Sequence, residues 1–178
     1  MEVNPTIKNI LKRFSCRSFL PDPIPEDVIK ILIEAMRWAP SAGNIQPCFF
    51  YIIESRKLIT LLAKAAYGQN FIAEAPVVFV VCLNPEKSAA RYGIRGKTLY
   101  SIQDSAAAIE NLMIAAASLG LGSCWVGAFD ETMASRYLEI PENLRPVGII
   151  PVGKNNDTLP RTTREPVKSI TKWVKEQI

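Results

Sequence analysis

Residues 105–119 read Ser-Ala-Ala-Ala-Ile-Glu-Asn-Leu-Met-Ile-Ala-Ala-Ala-Ser-Leu, and only Ser105, Glu110, Asn111 and Ser118 among them are polar. Alanine and leucine favour the helix, so the stretch predicts one that starts behind Asp104 or Ser105 as cap and ends at Gly120 in a left-handed turn. At about 1.5 Å of rise per residue it spans about 22 Å, too short for a bilayer. A helix with almost no wet face must be covered on all sides, and its alanines let other backbones come close. Two coverings satisfy it: the core of one domain, or a core shared by two subunits.

The 178 residues suit a single domain, 1–178, large enough to bury a substantial core. A 48% hydrophobic fraction against 21% charged points to a chain that hides much of its surface, which favours an oligomer. The net charge of +4 is small and scattered, which argues against nucleic acid as a partner and suits a small anionic ligand. Cys16, Cys48, Cys82 and Cys124 form no C-x-x-C pair and read as reduced core thiols of a cytoplasmic protein. The Met-Glu-Val-Asn-Pro start has no basic segment leading into an apolar run, and no segment reaches membrane-spanning length, so no membrane association is expected. Histidine is absent, which excludes Ser-His and Cys-His nucleophilic pairs and histidine metal sites; no metal is expected. Redox or group-transfer chemistry would then fall to an organic cofactor.

Outward from the central stretch, a short amphipathic helix is expected from Pro5 to Lys12 with Ile7, Ile10 and Leu11 turned inward. It leads into Arg13-Phe14-Ser15-Cys16-Arg17-Ser18-Phe19. In extended backbone Arg13, Ser15 and Arg17 share one face, while Phe14 and Cys16 take the other. Pro21, Pro23 and Pro25 stiffen the approach to a helix from Glu26 to Trp38, whose predicted buried stripe is Val28, Ile31, Leu32, Ala35 and Met36. The loop Pro40-Ser41-Ala42-Gly43-Asn44-Ile45-Gln46-Pro47 brings amide and hydroxyl groups together, suited either to a turn or to the hydrogen-bonding edge of a planar ring. Strands are expected at Cys48–Ile53, Val77–Leu83, through Gly120–Phe129 and at Val147–Val152, with a helix over Ser55–Tyr67 opened by its serine as cap and one over Glu131–Leu138 behind Asp130 as cap. The polar segment Asn84–Tyr100, with Arg91, Arg95 and Lys97, reads as a mobile or partly helical connection bordering a pocket, or as a solvated loop. A second basic cluster, Arg161 and Arg164, lies near the carboxyl end. Strands mixed with helices and no regular βαβ repeat indicate an α+β sandwich.

In order and spacing, Arg13-x-Ser15-x-Arg17-x-Phe19, Ala39-Pro40-Ser41-Ala42-Gly43-Asn44-x-Gln46-Pro47, Ala75-Pro76-Val77-Val78, Gly120-Leu121-Gly122-Ser123-Cys124-Trp125, Pro151-Val152-Gly153 and Pro160-Arg161-x-x-Arg164 resemble the FMN-dependent nitroreductase family over essentially the whole chain. The resemblance implies a three-layer α-β-α sandwich with a mostly antiparallel sheet. It further implies a domain-entwined homodimer whose 105–119 helix packs on its symmetry mate, with FMN at the seam. Gly120-x-Gly122 is no dinucleotide fingerprint, so side-chain cations must hold the phosphate. By resemblance these are Arg13 and Ser15 with Arg161 and Arg164, while Arg17 stands near the flavin N1 and O2 edge and raises its reduction potential. Gln69, or Asn70 in its place, matches the amide at the ribityl chain or pyrimidine edge. Pro40, Ser41, Ala42 and Asn44 would come from the other subunit. Val126 and Gly127, with Ala128, would run beneath the ring, and Phe14 sits beside Arg13 where relatives commonly carry a basic or polar residue. Gly127 stands where some relatives have Glu, and the insert covering the pocket is reduced to Asn84–Tyr100.

The activity so implied is ping-pong oxidoreduction: NADH or NADPH gives hydride to flavin N5, leaves, and an electron-poor acceptor such as a nitroaromatic or quinone replaces it. The same scaffold also carries FMN enzymes acting on a specific metabolite as dehydrogenase or oxidase, reductive dehalogenation, flavin fragmentation, and non-catalytic flavin-binding dimers.

Overall fold

The computed structural model describes residues 4–157 and 162–175. Its centre is β3 (Val77–Leu83), buried along its whole length, which follows from its unbroken run of apolar residues. It pairs antiparallel with β2 (Cys48–Ile53) on one side and with the long β5 (Arg145–Asn155) on the other. Strand β1 (Phe19–Leu20) and the short β4 (Leu121–Ser123) also pair antiparallel with β5. The sheet order is β1-β5-β3-β2, with β4 attached to β5.

Alternation along β3 sorts the core into two layers. Val77, Phe79 and Val81 face α2 (Glu26–Arg37) and α5 (Ser101–Ser118), meeting Leu32, Met36, Ile109 and Leu112. Val78, Val80 and Cys82 face α3 (Arg56–Ala65) and α6 (Glu131–Leu138), meeting Ile59, Leu62 and Ala134. This is the α-β-α sandwich with an antiparallel sheet that the sequence indicates.

Several local expectations hold. The first helix, α1, runs Pro5–Lys12, Ser55 caps α3 at Leu58, Asp130 caps α6 at Met133, and Gly120 follows α5 with φ +75°. Others are corrected. In α2 the buried stripe is Ile29, Leu32 and Met36, whereas Ile31 is 51% exposed; the face that α2 turns to α5 sets that stripe. Within this chain α1 buries no residue, and Ile7 and Ile10 are exposed rather than turned inward. The segment after β4 is not a continuous strand: only Val126 rejoins the sheet, in a bridge to Ile149.

Residues 84–100, open in the sequence to a partly helical connection or a solvated loop, are helical from Pro85 onward. Asn84 accepts the Lys87 amide at 3.1 Å, Pro85 occupies the first turn, and α4 (Pro85–Arg95) continues through a π-helical turn, Gly96–Tyr100, into α5. Glycine is needed at Gly96, where a Cβ would lie 2.3 Å from the Ser88 carbonyl oxygen. Neither Asp104 nor Ser105 therefore caps α5, and Asp104 is free for other work. Among the described residues, no helix is long and apolar enough to cross a membrane.

Candidate active site

Two hollows flank α5, one near each end. The first lies beside its carboxyl end. Lys12, Arg13 and Phe14 form one wall, while Ala117, Gly120–Ser123 and Asn155 form the rest, around about 230 Å³. Arg13 ends α1, its amide donating to the Asn9 carbonyl at 3.0 Å. Its guanidinium is 18% exposed and meets Glu110 of α5 at 3.3 Å. Ser15 bridges to Ser123, and the Cys16 amide donates to the Ser123 carbonyl at 3.0 Å, so the extended reading of 13–19 is realised. Cys16 is buried, Phe14 packs on the core, and Ser15 and Arg17 face outward. The backbone of Arg17 is fixed by an amide donation to Asp157 at 3.0 Å.

Arg13, Ser15 and Arg17 all act on one group. Burial pushes the Cys124 thiol up, and Arg17, a hydrogen bond with the Ser15 side chain and Arg13 partly offset it. All three side chains therefore border the Cys124 thiol. The thiols themselves are poor nucleophiles: burial raises Cys16 and Cys124 and pushes Cys48 and Cys82 up to about 12.

Val126 is buried in its bridge to Ile149, while Gly127 is exposed, and a Cβ there would meet nothing within 4 Å. Gln69 lies next to this segment: its side-chain amide donates to the carbonyls of Ala66 and Ala128, each at 3.1 Å. That amide nitrogen thus ties the turn after α3 to Ala128. Asn70 is exposed at the start of the following 3₁₀ turn.

The second hollow, about 80 Å³, opens against the amino-terminal half of α5 and is lined by Met36, Pro40, Ser41, Cys48, Asp104 and Ala108 among others. Its rim is the 40–47 loop, whose backbone is unusual. Gly43, Asn44 and Gln46 all take left-handed φ, at +56°, +57° and +54°. For non-glycine residues such angles cost about 1–3 kcal/mol each and persist only where the surroundings over-determine them. Here the surroundings do. The Ser41 hydroxyl accepts the Gln46 amide at 2.9 Å, the Asn44 amide donates to the Ser41 carbonyl at 2.9 Å, and the Gln46 side chain donates to Asn44 Oδ1 at 3.1 Å. Part of the amide chemistry of Asn44 and Gln46 is therefore spent within the loop.

Asp104 holds this loop from α5, a role its sequence position did not reveal, because only the earlier start of α5 turns it toward residue 42. Its Oδ1 accepts the Ala42 amide at 3.0 Å, while Oδ2 is buried with no hydrogen-bond partner among the described residues. Burial raises its carboxyl above the usual aspartate value, and the Ala42 amide partly counters that.

At about 1.5 Å of rise per residue, Asp104 and Ala117 lie about 20 Å apart along α5. One chain therefore keeps the Arg13 group and the Ser41 group apart. Arg164 lies in an exposed tail, and its hydrogen bonds go to Thr162 and Thr163 rather than to either hollow; Arg161 falls outside the described residues.

Comparison with known proteins accords with this architecture. The nitroreductase family profile matches residues 10–72 and 62–154. A protein of Archaeoglobus fulgidus, provisionally named NADH dehydrogenase/NAD(P)H nitroreductase, is 32% identical over 155 residues, covering 85% of this chain and 86% of its own. The FMN reductase [NAD(P)H] of Bacillus subtilis is 25% identical, over 94% of this chain and 73% of that one. Among solved structures, a nitroreductase family protein from Clostridium novyi superposes with a TM-score of 0.78 at 31% identity, covering 89% of this chain and 87% of the other. On the family profile, the Archaeoglobus relative and the shared fold, the chain belongs to the nitroreductase family.

Proposed function

We propose that the protein is an FMN-dependent NAD(P)H oxidoreductase acting as a homodimer, with each flavin site built from both chains. The observation that carries this reading is the separation of the two hollows along α5. A twofold pairing with α5 helices antiparallel sets the Arg13 hollow of one chain against the 40–47 loop of the other. Surface chemistry favours such a pairing: Ile7, Ile10 and Ile102 are exposed around α5, and the tail exposes Val167, Ile170 and Trp173. Exposed apolar groups in such number are what an interface covers. An arginine whose side chain is only 18% exposed attracts an anion more strongly than a fully solvated one.

The donor set fits FMN. Arg13, beside the Ser123 backbone and the exposed Ser15, offers a fork and a hydroxyl to the phosphate, in competition with Glu110. Arg164, with Arg161 of the same tail, would complete that clamp in the assembled dimer. The open space over Gly127 accommodates a flat ring, and Val126 with Gly127 would form its floor. Gln69 stands at the edge of that floor through its bond to Ala128. Pro40, Ser41, Ala42 and Asn44 would close the ring from the partner, and the pinned backbone of their loop keeps them in place. Arg17 would place positive charge where the reduced ring accumulates negative charge. The bound flavin supplies the hydride-accepting and hydride-donating chemistry. The chain supplies placement, with NADH or NADPH and then an electron-poor acceptor, such as a nitroaromatic or quinone, using the same open face.

The test is direct. Purified protein, reconstituted with FMN, should be yellow and should bleach anaerobically on addition of NADH or NADPH, with colour restored by a quinone or nitroaromatic. A protein that takes up no FMN overturns the reading.

A further inference from the structure

Four cations lie on α4 and the π turn after it: Lys87, Arg91, Arg95 and Lys97. Lys97 pairs with Glu86, and Lys87 Nζ donates to the Gln46 carbonyl at 2.9 Å. Arg91 and Arg95 have no carboxylate partner among the described residues. Arg91 lies over the Tyr92 ring at 5.5 Å and Arg95 over the Tyr100 ring at 5.4 Å, and the two tyrosines meet edge to face at 5.2 Å. Arg95 Nε also donates to the Tyr100 hydroxyl at 2.9 Å. The result is a braced aromatic pair with an unneutralised guanidinium on each side, exposed to solvent. Bracing lowers the entropy lost when an anion is bound, because the side chains are already ordered.

The group is fastened to the loop that closes the proposed flavin site. Lys87 holds Gln46, and Arg91 Nη1 donates to the Gly43 carbonyl at 3.3 Å. The fit is tight: a Cβ on Gly43 would lie 2.4 Å from the Tyr92 hydroxyl. Wherever the loop sits over a flavin, α4 therefore overhangs the same mouth.

We propose that Arg91 and Arg95, braced by Tyr92 and Tyr100, take the phosphate groups of the nicotinamide dinucleotide that reduces the flavin. The inference rests on the flavoenzyme reading and adds to it the subsite for the donor's anionic half. Arginine forks match phosphate oxygens, and the 2′-phosphate of NADPH adds negative charge to the same adenosine half of the donor, so NADPH is the favoured donor.

The experiment is anaerobic stopped-flow reduction of the FMN-loaded protein by NADPH and by NADH, for the wild type, Arg91→Gln, Arg95→Gln and the double variant. Arg91→Lys controls for the packing on Tyr92 and the bond to Gly43. The expected result is a Kd for NADPH about tenfold higher in the double variant, since two exposed charge-assisted contacts are lost. The change for NADH should be smaller, the loss should fall on Kd rather than on the limiting rate, and added salt should weaken wild-type binding more than that of the variant. Arg91→Lys should retain most of the affinity. Equal Kd values in wild type and double variant, or a Kd change indifferent to salt, overturn the inference while leaving the flavoenzyme reading intact. Failure of the wild type to bleach with either donor would instead overturn that reading itself.

Discussion

Replacing Asp104 by alanine removes the oxygen that holds the Ala42 amide at 3.0 Å and with it the tether between α5 and the 40–47 loop. A hydrogen bond to a charged group contributes about 1.5–3 kcal/mol, and removal of the buried, unpartnered Oδ2 gives some of that back. The net loss should be about 1–2 kcal/mol. For a chain of this size each kcal/mol lowers Tm by about 2–4 °C, so a fall of about 2–8 °C is expected at neutral pH. The pH dependence separates the tether from generic damage. Burial raises the Asp104 carboxyl, so the folded state binds this proton more tightly than the unfolded state does. Its ionised form therefore weakens the fold above the folded pKa, and that penalty is relieved as pH falls through the folded value toward the unfolded one. Asp104→Asn keeps an oxygen for Ala42 but cannot titrate, so it should lose this acid-side relief. The assay is thermal unfolding at fixed protein and FMN concentrations across about pH 4 to 8, with FMN affinity measured in parallel. An alanine variant with wild-type Tm and FMN affinity, or an Asn variant that keeps the full acid-side gain, would refute the reasoning.

Two further outcomes follow from the same geometry. Arg17→Ala should weaken FMN binding and lower the potential of the bound cofactor, read by equilibration with a reference dye; an unchanged potential removes the electrostatic role given to Arg17. Gly122→Ala places a Cβ 2.7 Å from Cys16 Sγ and 2.9 Å from Cys16 Cβ, in a side chain already held by the Ser18 carbonyl and Asn155. Overpacking there should cost about 1–3 kcal/mol in denaturant unfolding and narrow the hollow beside Arg13; unchanged stability would show that Cys16 yields freely.

Much of the architecture was legible because the signals were local and strong. The unbroken apolar run 77–83 could only be a central strand, and Ser55, Asp130 and Gly120 marked helix ends by their own chemistry. What local pattern could not supply was the phase of α2, which is set by its contact with α5, and the helical state of 84–100. There the polarity left a partly helical connection and a solvated loop both open, and a cap at Asn84 with close packing at Gly96 decides for helix. For the site, alternation turned Ser15 and Arg17 outward and Cys16 inward, as the structure has them. Asp104 escaped notice because a carboxylate at the apparent start of a helix reads as a cap. The exposed face of α1 was misread as inward because a sequence does not say which chain an apolar face will cover.

The shared flavin site is the central claim, and mixed dimers test it most directly. Arg13→Glu and Ser41→Trp each disable one half of the site, so neither homodimer should retain FMN. A dimer carrying one variant in each chain should regain one intact site, made from the unaltered Arg13 group of one chain and the unaltered loop of the other, and should bind half the wild-type complement of flavin. Mixed dimers that bind none, or a wild-type monomer that binds FMN unaided, would contradict the account.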